Sequence, residues 1–440
     1  MKNLRTFPLN ALDINFLLSS DGKTLDLPNT IVLSFHSKTR FNKIKLVDTL
    51  FLLDQKFPEL KLSTTFLYES LCWQEVPTDK KTFFSGLVSK VAEDAAFSPE
   101  KILTTLIHSK NYHLPFEITI SENYFFYRQN HVFADGMFAM RLLEMVMMTY
   151  FSESNSVGDV VLAPPLNFQY LDQNVLHEKA RERLDFSVGQ TDFHVNFSKT
   201  TAPSSSKHQE VCNFVLSKQQ MVKLEELRNR ISQKQQISIN TLLNVFVSFF
   251  FAQKKKQNKR TYLSIPSHLG SYFSGNHIYP YNFITNIDAY IDTPQDLKQF
   301  VSVCNETQAY ICGIQKNGKL LDNVRFSMKE YSRFGKQMVE EMQQKYLTWY
   351  NNIEQTFVIS NLGIVDDVLP YTIKNGVQSN QLFISATCIG AQPLTIFITR
   401  ARGQMNISCT VDTSQMSRAM VNELWFQFSV ENLEMLIKKI

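Results

Sequence analysis

Two stretches of this 440-residue chain share one order of elements, which is an extended run, a short loop and a largely apolar helix. The first is ENYFFYRQNHVFADGMFAMRLLEMV (122–146), and the second is QMNISCTVDTSQMSRAMVNELWFQF (404–428). Only the first carries a histidine in its loop. Repetition of a unit indicates repetition of structure. The pattern therefore predicts two similar halves, of which one holds the chemistry.

The boundary between these halves is predicted at a Ser/Pro-rich stretch without apolar periodicity, TTAPSSSKHQE. Such composition is typical of linkers, and a chain of this length suits two halves of about 200 residues each. The predicted division is an N-terminal lobe at 1–199, a linker at 200–210 and a C-terminal lobe at 211–440.

Extended runs and amphipathic helices alternate through both halves. The predicted strands are 29–37, 61–69, two runs within 115–133 joined by a turn at 121–123, 211–217, 261–267, 283–291, 355–363, 380–389, 394–401 and 404–411. The predicted helices are 41–57, 99–110, 137–151, 218–232, 238–253 with Ser238 as N-cap, 294–313 opened by Thr293-Pro294, 324–346, and a closing helix from about 417. This mixture favours α/β or α+β layers over a simple doubly wound fold.

Composition excludes several classes of protein. A net charge of +4 is too small to indicate nucleic acid or a membrane surface as a partner. No run approaches the ~20 apolar residues that a membrane span needs. The six cysteines form no CxxC pair and lie beside no histidine at metal spacing, so no metal site is predicted. The expectation is a cytoplasmic protein with reduced thiols.

The loop of the first stretch places three informative residues in order. His131 follows the strand and can point into a cleft, where a rigidly held neutral imidazole is a good general base near pH 7. Asp135 stands where the helix begins, so its carboxylate can cap backbone N–H groups or bind a buried arginine. Gly136 permits close backbone approach or an unusual dihedral angle. The alternative is that His131 is a structural residue at a strand end.

A family resemblance rests on this loop. HVFADG resembles the HxxxDG signature of the chloramphenicol acetyltransferase-like superfamily, which includes peptide-synthetase condensation domains, wax ester synthases and alcohol acyltransferases. PLNALDINFLL (8–18), LPFEITI (114–120) and FVISNLGIVDD (357–367) resemble other segments of these proteins, especially of the two-lobed alcohol and polyketide-associated types. Many relatives have a second histidine where this chain has Asn130, and the plant-type DFGWG motif is absent.

The resemblance implies a fold and a reaction. The fold is a pseudo-dimer of two similar lobes around a central tunnel, in a monomeric protein. An acyl-CoA serves as co-substrate, no cofactor is bound, and His131 takes the proton of an alcohol or amine acceptor. Asp135 and Gly136 shape the loop, with Asp135 paired to an arginine. Ser360, Asn361 and Gly363 are the candidates for the oxyanion site or the tunnel wall.

Other interpretations of the sequence remain open. The donor could be a thioester on a carrier protein, as in condensation-type enzymes, or the two lobes could form a non-catalytic binding module. Thr285 and Asn286 line the tunnel or lie at a sheet edge. The basic run at 254–260 meets coenzyme A phosphates or is the solvated end of a helix, and the second reading is favoured.

Overall fold

The computed structural model describes residues 6–8, 30–56, 62–67, 70–75, 79–108, 114–152, 208–255, 260–269, 282, 284–317, 320, 357–388 and 392–440. The helix predicted at 324–346 lies outside the described residues, as does most of the predicted linker. The division into two lobes at that linker therefore stays a prediction.

Strands and helices follow one another along the described residues. In chain order, the strands are β1 (Thr6–Pro8), β2 (Thr30–Ser37), β3 (Leu62–Leu67), β4 (Ser70–Glu75), β5 (Val88–Lys90), β6 (Phe116–Ile120), β7 (Tyr124–Asn130), β8 (Gln209–Leu216), β9 (Arg260–His268), β10 (Ile284–Asp292), β11 (Val358–Ile364), β12 (Val377–Ala386), β13 (Leu394–Ala401) and β14 (Gln404–Asp412). The helices are α1 (Lys43–Lys56), α2 (Lys80–Leu87), α3 (Pro99–Ile107), α4 (Gly136–Phe151), α5 (Lys218–Ile231), α6 (Ile239–Lys255), α7 (Leu297–Lys316), α8 (Arg418–Phe426) and α9 (Val430–Lys439), and a π-helical turn spans Thr372–Gly376.

Most predicted elements are present, and their ends are set by local capping. Ser238 caps α6, as predicted, by accepting a 3.0 Å hydrogen bond from the Thr241 amide. The predicted opening of α7 at 293–294 is wrong, because Asp296 is the N-cap and accepts from the Gln299 amide at 2.8 Å.

The ends of other elements also depart from the pattern. The closing helix is in fact two helices, since Ser417 and Ser429 each cap one. Strand β8 begins at Gln209, inside the stretch predicted as a linker. Strands β1, β4 and β5 and helix α2 were not predicted.

Two sheets form the scaffold. The first has the strand order β12-β2-β7-β6-β5, antiparallel except for the parallel pair β5 and β6. The second has the order β11-β13-β14-β8, antiparallel except for the parallel pair β11 and β13. The antiparallel ribbon β9–β10 lies beside β11, and β1, β4 and β3 form a small third sheet. The mixture of layered sheets and helices confirms the predicted α/β (α+β) class.

Each large sheet is the wall of its own hydrophobic core. The first core lies between sheet residues such as Leu33 and Tyr127 and the apolar helix α4. The second lies among the four-stranded sheet, the ribbon and helices α5 to α9, with Leu263 and Ile396 among its members. Burial of apolar area on this scale is the main source of stability for both layers.

The two halves of the chain exchange elements across their boundary. Strand β12 comes late in the sequence, yet it pairs with β2 and completes the first sheet, with Ile384 opposite Leu33. In return, α3 from the first half covers the outer edge of β8, the last strand of the second sheet.

Three side chains spaced four residues apart on and just after α3 bond to backbone groups two residues apart on β8. The pairs are Glu100 Oε1 with the Asn213 amide (3.0 Å), Thr104 Oγ1 with the Val211 amide (3.0 Å), and His108 Nε2 with the Gln209 carbonyl (3.1 Å). Four helical residues rise about 6 Å, close to the rise of two strand residues, so the spacings match. The helix thus protects an edge that would otherwise be open to pairing.

Candidate active site

The loop 131–135 joins the central strand β7 to α4 and is folded by the residue that precedes it. Asn130 Oδ1 accepts a hydrogen bond from the Val132 amide (2.9 Å), and the Asn130 carbonyl accepts one from the Phe133 amide (2.9 Å). This is a turn closed by an asparagine side chain. The chain leaves the sheet at His131 because Asn130 bends it there.

A buried glutamine closes the other end of the loop. Gln129 Nε2 donates to the carbonyls of Ala134 (2.7 Å) and Asp135 (3.2 Å). The Tyr127 hydroxyl donates to Gln129 Oε1 at 2.9 Å and fixes the orientation of that amide. The loop is buried, so these bonds satisfy carbonyls that water does not reach.

Asp135 is the N-cap of α4, which is one of the two roles considered from the sequence. Its Oδ1 accepts from the Phe138 amide at 3.0 Å, and the carboxylate is buried at the positive end of the helix dipole. Its Oδ2 lies 4.0 Å from Nε2 of His268, a half-exposed residue at the end of β9. The fully buried Arg128 pairs with Glu117 at 2.8 Å. The expected pairing of Asp135 with an arginine stays a prediction.

Gly136 is the first residue of α4 and does not have the unusual dihedral angle considered from the sequence. Among the described glycines only Gly363 and Gly403 have positive φ. A Cβ placed on Gly136 would lie 3.5 Å from Leu362 Cδ2, an ordinary van der Waals distance. The motif glycine thus packs directly against β11, the strand that carries the sequence SNLG.

His131 is 8% exposed and is held by one residue from the second half of the chain. Its Nδ1 lies 3.0 Å from Asn282 Oδ1. Asn282 Nδ2 donates to the carbonyls of His131 (2.7 Å) and Val132 (3.3 Å). Asn282 is itself fully buried. The imidazole and the first two loop carbonyls are therefore tied to a single side chain.

Burial lowers the pKa of His131 to about 4. A hydrogen bond to its own main chain, the charge of Asp135 and the bond to Asn282 oppose this shift, but desolvation of the charged ring outweighs them. The ring is accordingly neutral at pH 7 and has one nitrogen able to take up a proton. That is the form a general base requires.

The SNLG segment is a bulged strand rather than a strand end. The pairing of β11 with β13 shifts between Asn361 and Ile364. Asn361 Oδ1 accepts from the Gly363 amide at 2.9 Å, and Gly363 has φ +74°, a conformation that favours glycine. Ser360 is buried on this strand. The proposed role of these residues at the oxyanion or along the tunnel stays a prediction.

Strand β11 also packs against the first half of the chain. Ile359 points into the second core, so the alternation of the strand places Ser360 on the opposite face. Leu362, within the bulge, packs against the first core and lies where a side chain at position 136 would meet it. The predicted histidine loop and the predicted SNLG segment are therefore neighbours, brought together from opposite halves.

Asn282 was not predicted from the sequence. In the same segment the candidates were Thr285 and Asn286, which lie on the edge strand β10, half-buried and exposed respectively. This position agrees with the sheet-edge interpretation of these two residues. No local pattern distinguishes Asn282, because its role depends on a partner 151 positions away.

The basic run at 254–260 is the remaining feature singled out from the sequence. Lys254, in the basic run, lies in the last turn of α6 and pairs with the exposed Glu423, which fits the solvated helix end. Within the described part of the chain no group of three metal-ligating side chains is found, and no helix there is long and apolar enough to cross a membrane.

The fold is shared with acyltransferases and peptide-synthetase domains of known structure. Trichothecene 15-O-acetyltransferase from Fusarium sporotrichioides superposes with a TM-score of 0.67 at 12% identity, over 98% of this chain and 95% of that chain. A mutant starter condensation domain of rhizomide synthetase in complex with C8-CoA gives 0.61 at 10% identity, over 98% and 95%. Polyketide synthase associated protein 5 from Mycobacterium tuberculosis gives 0.60 at 10% identity, over 98% and 100%.

These matches cover both halves of the chain, and they confirm the two-lobed chloramphenicol acetyltransferase-like fold that the HxxxDG resemblance implied. No protein-family model matches the sequence, and no curated protein matches it. At these identities the likeness establishes the fold, and the chemistry has to be argued from the site itself.

Proposed function

We propose that this chain is an acyltransferase that moves an acyl group from a coenzyme A thioester to a hydroxyl or amine acceptor, with His131 as general base. The observation that carries the proposal is the neutral, buried imidazole of His131 on a loop braced at both ends. A ring fixed in this way loses little freedom when it meets its substrate, which favours proton transfer.

The reaction is a direct transfer. The acceptor oxygen or nitrogen attacks the thioester carbonyl carbon while His131 takes the acceptor proton, and a tetrahedral oxyanion forms. When the carbon–sulfur bond breaks, the thiolate leaves and receives the proton from the imidazolium. No covalent enzyme intermediate is needed because a thiolate is a good leaving group. Ser360 is our candidate for donating to the oxyanion, since it lies on the bulged strand next to the loop.

The choice of coenzyme A as donor is supported by structural likeness. The mutant starter condensation domain was crystallised with C8-CoA, and it superposes over most of both chains. The same fold occurs in synthetase condensation domains. A thioester on a carrier protein is therefore the alternative donor, and the first experiment has to separate the two.

The test is a thiol-release assay with purified protein. Acetyl-, octanoyl- and palmitoyl-CoA, and the matching N-acetylcysteamine thioesters, are incubated with a panel of alcohols and amines, and product is identified by mass spectrometry. We expect acceptor-dependent transfer from at least one CoA thioester. Transfer from the short thioesters at an equal rate would argue for a donor other than coenzyme A.

The control for this assay is His131→Ala, which is expected to remove transfer while the protein remains folded by circular dichroism. Undiminished transfer in this variant would exclude His131 as the base. A wild-type protein that binds acyl-CoA but transfers nothing to any acceptor would favour the non-catalytic binding module.

A further inference from the structure

Asn282 is the side chain that joins the second half of the chain to the imidazole. We infer that Asn282 is a positioning residue that keeps the neutral His131 ring protonated on Nδ1 and so leaves the lone pair on Nε2. For its catalytic consequence this inference rests on the proposed function, whereas its structural content does not.

The orientation of the Asn282 amide follows from its neighbours. Its nitrogen lies 2.7 Å from the His131 carbonyl oxygen and 3.3 Å from that of Val132. A carbonyl oxygen only accepts, so the group facing it has to be the NH2. The reversed amide would set Oδ1 against two carbonyl oxygens in a buried site, which is strongly unfavourable. Asn282 Oδ1 is thereby fixed towards His131.

The protonation of the ring follows from the orientation of the amide. Oδ1 of Asn282 is an acceptor, and it lies 3.0 Å from Nδ1, so Nδ1 has to carry the hydrogen. The ring also makes a hydrogen bond with its own main chain, which only Nδ1 can reach. Both contacts select the same tautomer. In the neutral ring the remaining nitrogen, Nε2, is the proton acceptor.

The charges around the ring do not reverse this selection. Asp135 is the carboxylate that acts on the ring, but its oxygens serve the helix amide of Phe138 and lie near His268. Asn282 is uncharged, so its hydrogen bond raises the pKa of the imidazole less than an aspartate in that place would. An amide is thus suited to holding a base that has to stay neutral.

The inference is tested by nuclear magnetic resonance on protein labelled with 15N-histidine. The chain has nine histidines, and the resonances of His131 are assigned as those missing from the spectrum of His131→Asn. In wild type we expect the protonated nitrogen to be Nδ1 throughout neutral pH. Asn282→Ala should give averaged resonances from both tautomers. Asn286→Ala, an exposed change in the same segment, should leave the spectrum as in wild type.

A second variant separates orientation from charge. Asn282→Asp keeps an acceptor opposite Nδ1 but sets a carboxylate oxygen against the two carbonyls. We expect it to retain the tautomer and to raise the pKa of His131 by about one to three units, because an opposite charge then lies within ~4 Å. In the pH profile of kcat/KM, the midpoint of the acid limb should move to higher pH by the same amount.

The kinetic arm distinguishes positioning from general support of the fold. Asn282→Ala should lower kcat by about tenfold or more with KM changed by less than about threefold, since the defect lies in proton transfer rather than in binding. A wild-type histidine spectrum in Asn282→Ala, or an unshifted pKa in Asn282→Asp, would overturn the inference. If Asn282→Ala loses the Nδ1-protonated tautomer but keeps full activity, the positioning role is overturned.

Failure of this inference can be told apart from failure of the proposed function. The resonance experiments need no substrate, so they read the tautomer even if no acceptor is found. If His131→Ala still transfers acyl groups, His131 is not the general base. The tautomer observed for the wild-type ring would be unaffected by that result.

Discussion

The loop that follows β7 and the loop that follows β14 have the same backbone design in the two halves of the molecule. Each has five residues between the strand and the helix, 131–135 and 413–417. In each, the last strand residue closes a turn with its own side chain, Asn130 Oδ1 to an amide at 2.9 Å and Asp412 Oδ1 to an amide at 3.0 Å. In each, the fifth residue caps the helix.

What differs is where each loop finds its outside partner. Thr413, the counterpart of His131, is exposed and bonds through its amide and hydroxyl to the His208 carbonyl at 2.8 and 2.7 Å, one residue before β8. His131 is buried and bonds to Asn282 from the other half. The repeat therefore supplies the same turn twice, but its first residue is buried against the other half of the chain in one copy and exposed in the other.

The largest expected effect contrasts the two equivalent positions. His131→Asn keeps a donor for Asn282 but lacks Nε2, and it should lower kcat/KM by about 10²- to 10⁴-fold, the usual contribution of a general base. Thr413→Asn should change it by less than about twofold. Both are measured by thiol release under identical conditions. Similar losses in the two variants would mean that the turns, not the imidazole, govern the rate.

The next effect concerns stability of the second loop. Asp412 is fully buried, and its carboxylate accepts from the Ser414 amide, the Ser414 hydroxyl (2.6 Å) and Gln415 Nε2 (2.9 Å). Asp412→Ala should lower the free energy of unfolding by about 3 kcal/mol, because these donors lose a charged acceptor. The measurement is urea denaturation.

The control for Asp412→Ala is a substitution that copies the turn residue of the first loop. Asp412→Asn introduces the residue that closes the equivalent turn at position 130, and it should cost only about 1 kcal/mol. Equal losses for the alanine and asparagine variants would show that the two turns are not interchangeable.

A third effect of intermediate size arises from the buried imidazole. The pKa of His131 is about 4 in the folded chain, against 6.5 when unfolded. The unfolded chain therefore binds the proton first as pH falls. The free energy of unfolding is therefore unaffected by this group above pH 6.5 and decreases as pH falls from 6.5 towards 4. The decrease amounts to about 2 kcal/mol at pH 5.

This pH effect is read as a difference, because other groups also titrate. Urea denaturation at pH 8 and pH 5 is compared for wild type and His131→Asn, which lacks the titrating ring. Wild type should lose about 2 kcal/mol more than the variant over this interval. A parallel pH dependence in the two proteins would contradict the lowered pKa.

The smallest effect exchanges the helix caps of the two loops. Serine and aspartate are similar N-caps, so Ser417→Asp should change stability by less than about 0.5 kcal/mol. Asp135→Ser should cost about 1 kcal/mol, since Asp135 is buried near His268. Thermal unfolding measures both. A loss well above this for Asp135→Ser would support the arginine partner expected from the sequence, and no loss would limit Asp135 to capping.

The features that the sequence predicted are local ones. The position of His131 after a strand, the cap at Asp135 and the N-cap at Ser238 each depend on residues within a few positions. Side-chain hydrogen bonding to nearby backbone and hydrophobic periodicity act over this range, so they can be read from sequence. The repeat, too, was visible, because its two copies have the same order of elements.

The features that the sequence did not predict are contacts between distant segments. Nothing near Asn282 indicates that its amide faces an imidazole from the other half. The alternation of β12 is the same whichever sheet it joins, so its place beside β2 could not be inferred. Gly136 indicated either close backbone approach or an unusual dihedral angle; the structure has the close approach, but the sequence could not identify Leu362 as the neighbour. Such pairings are decided by packing of the whole chain.

The crossing of β12 into the first sheet bears on how the protein can be dissected. A chain cut at the predicted linker would leave one fragment with β2 as an open edge and another with an orphaned strand at 377–386. Open edges of this kind promote aggregation. We therefore expect that the fragments on either side of the predicted linker do not fold when each is produced singly. Coexpressed as fragments, they are suited to complementation, in which recovery of acyl transfer would report reassembly.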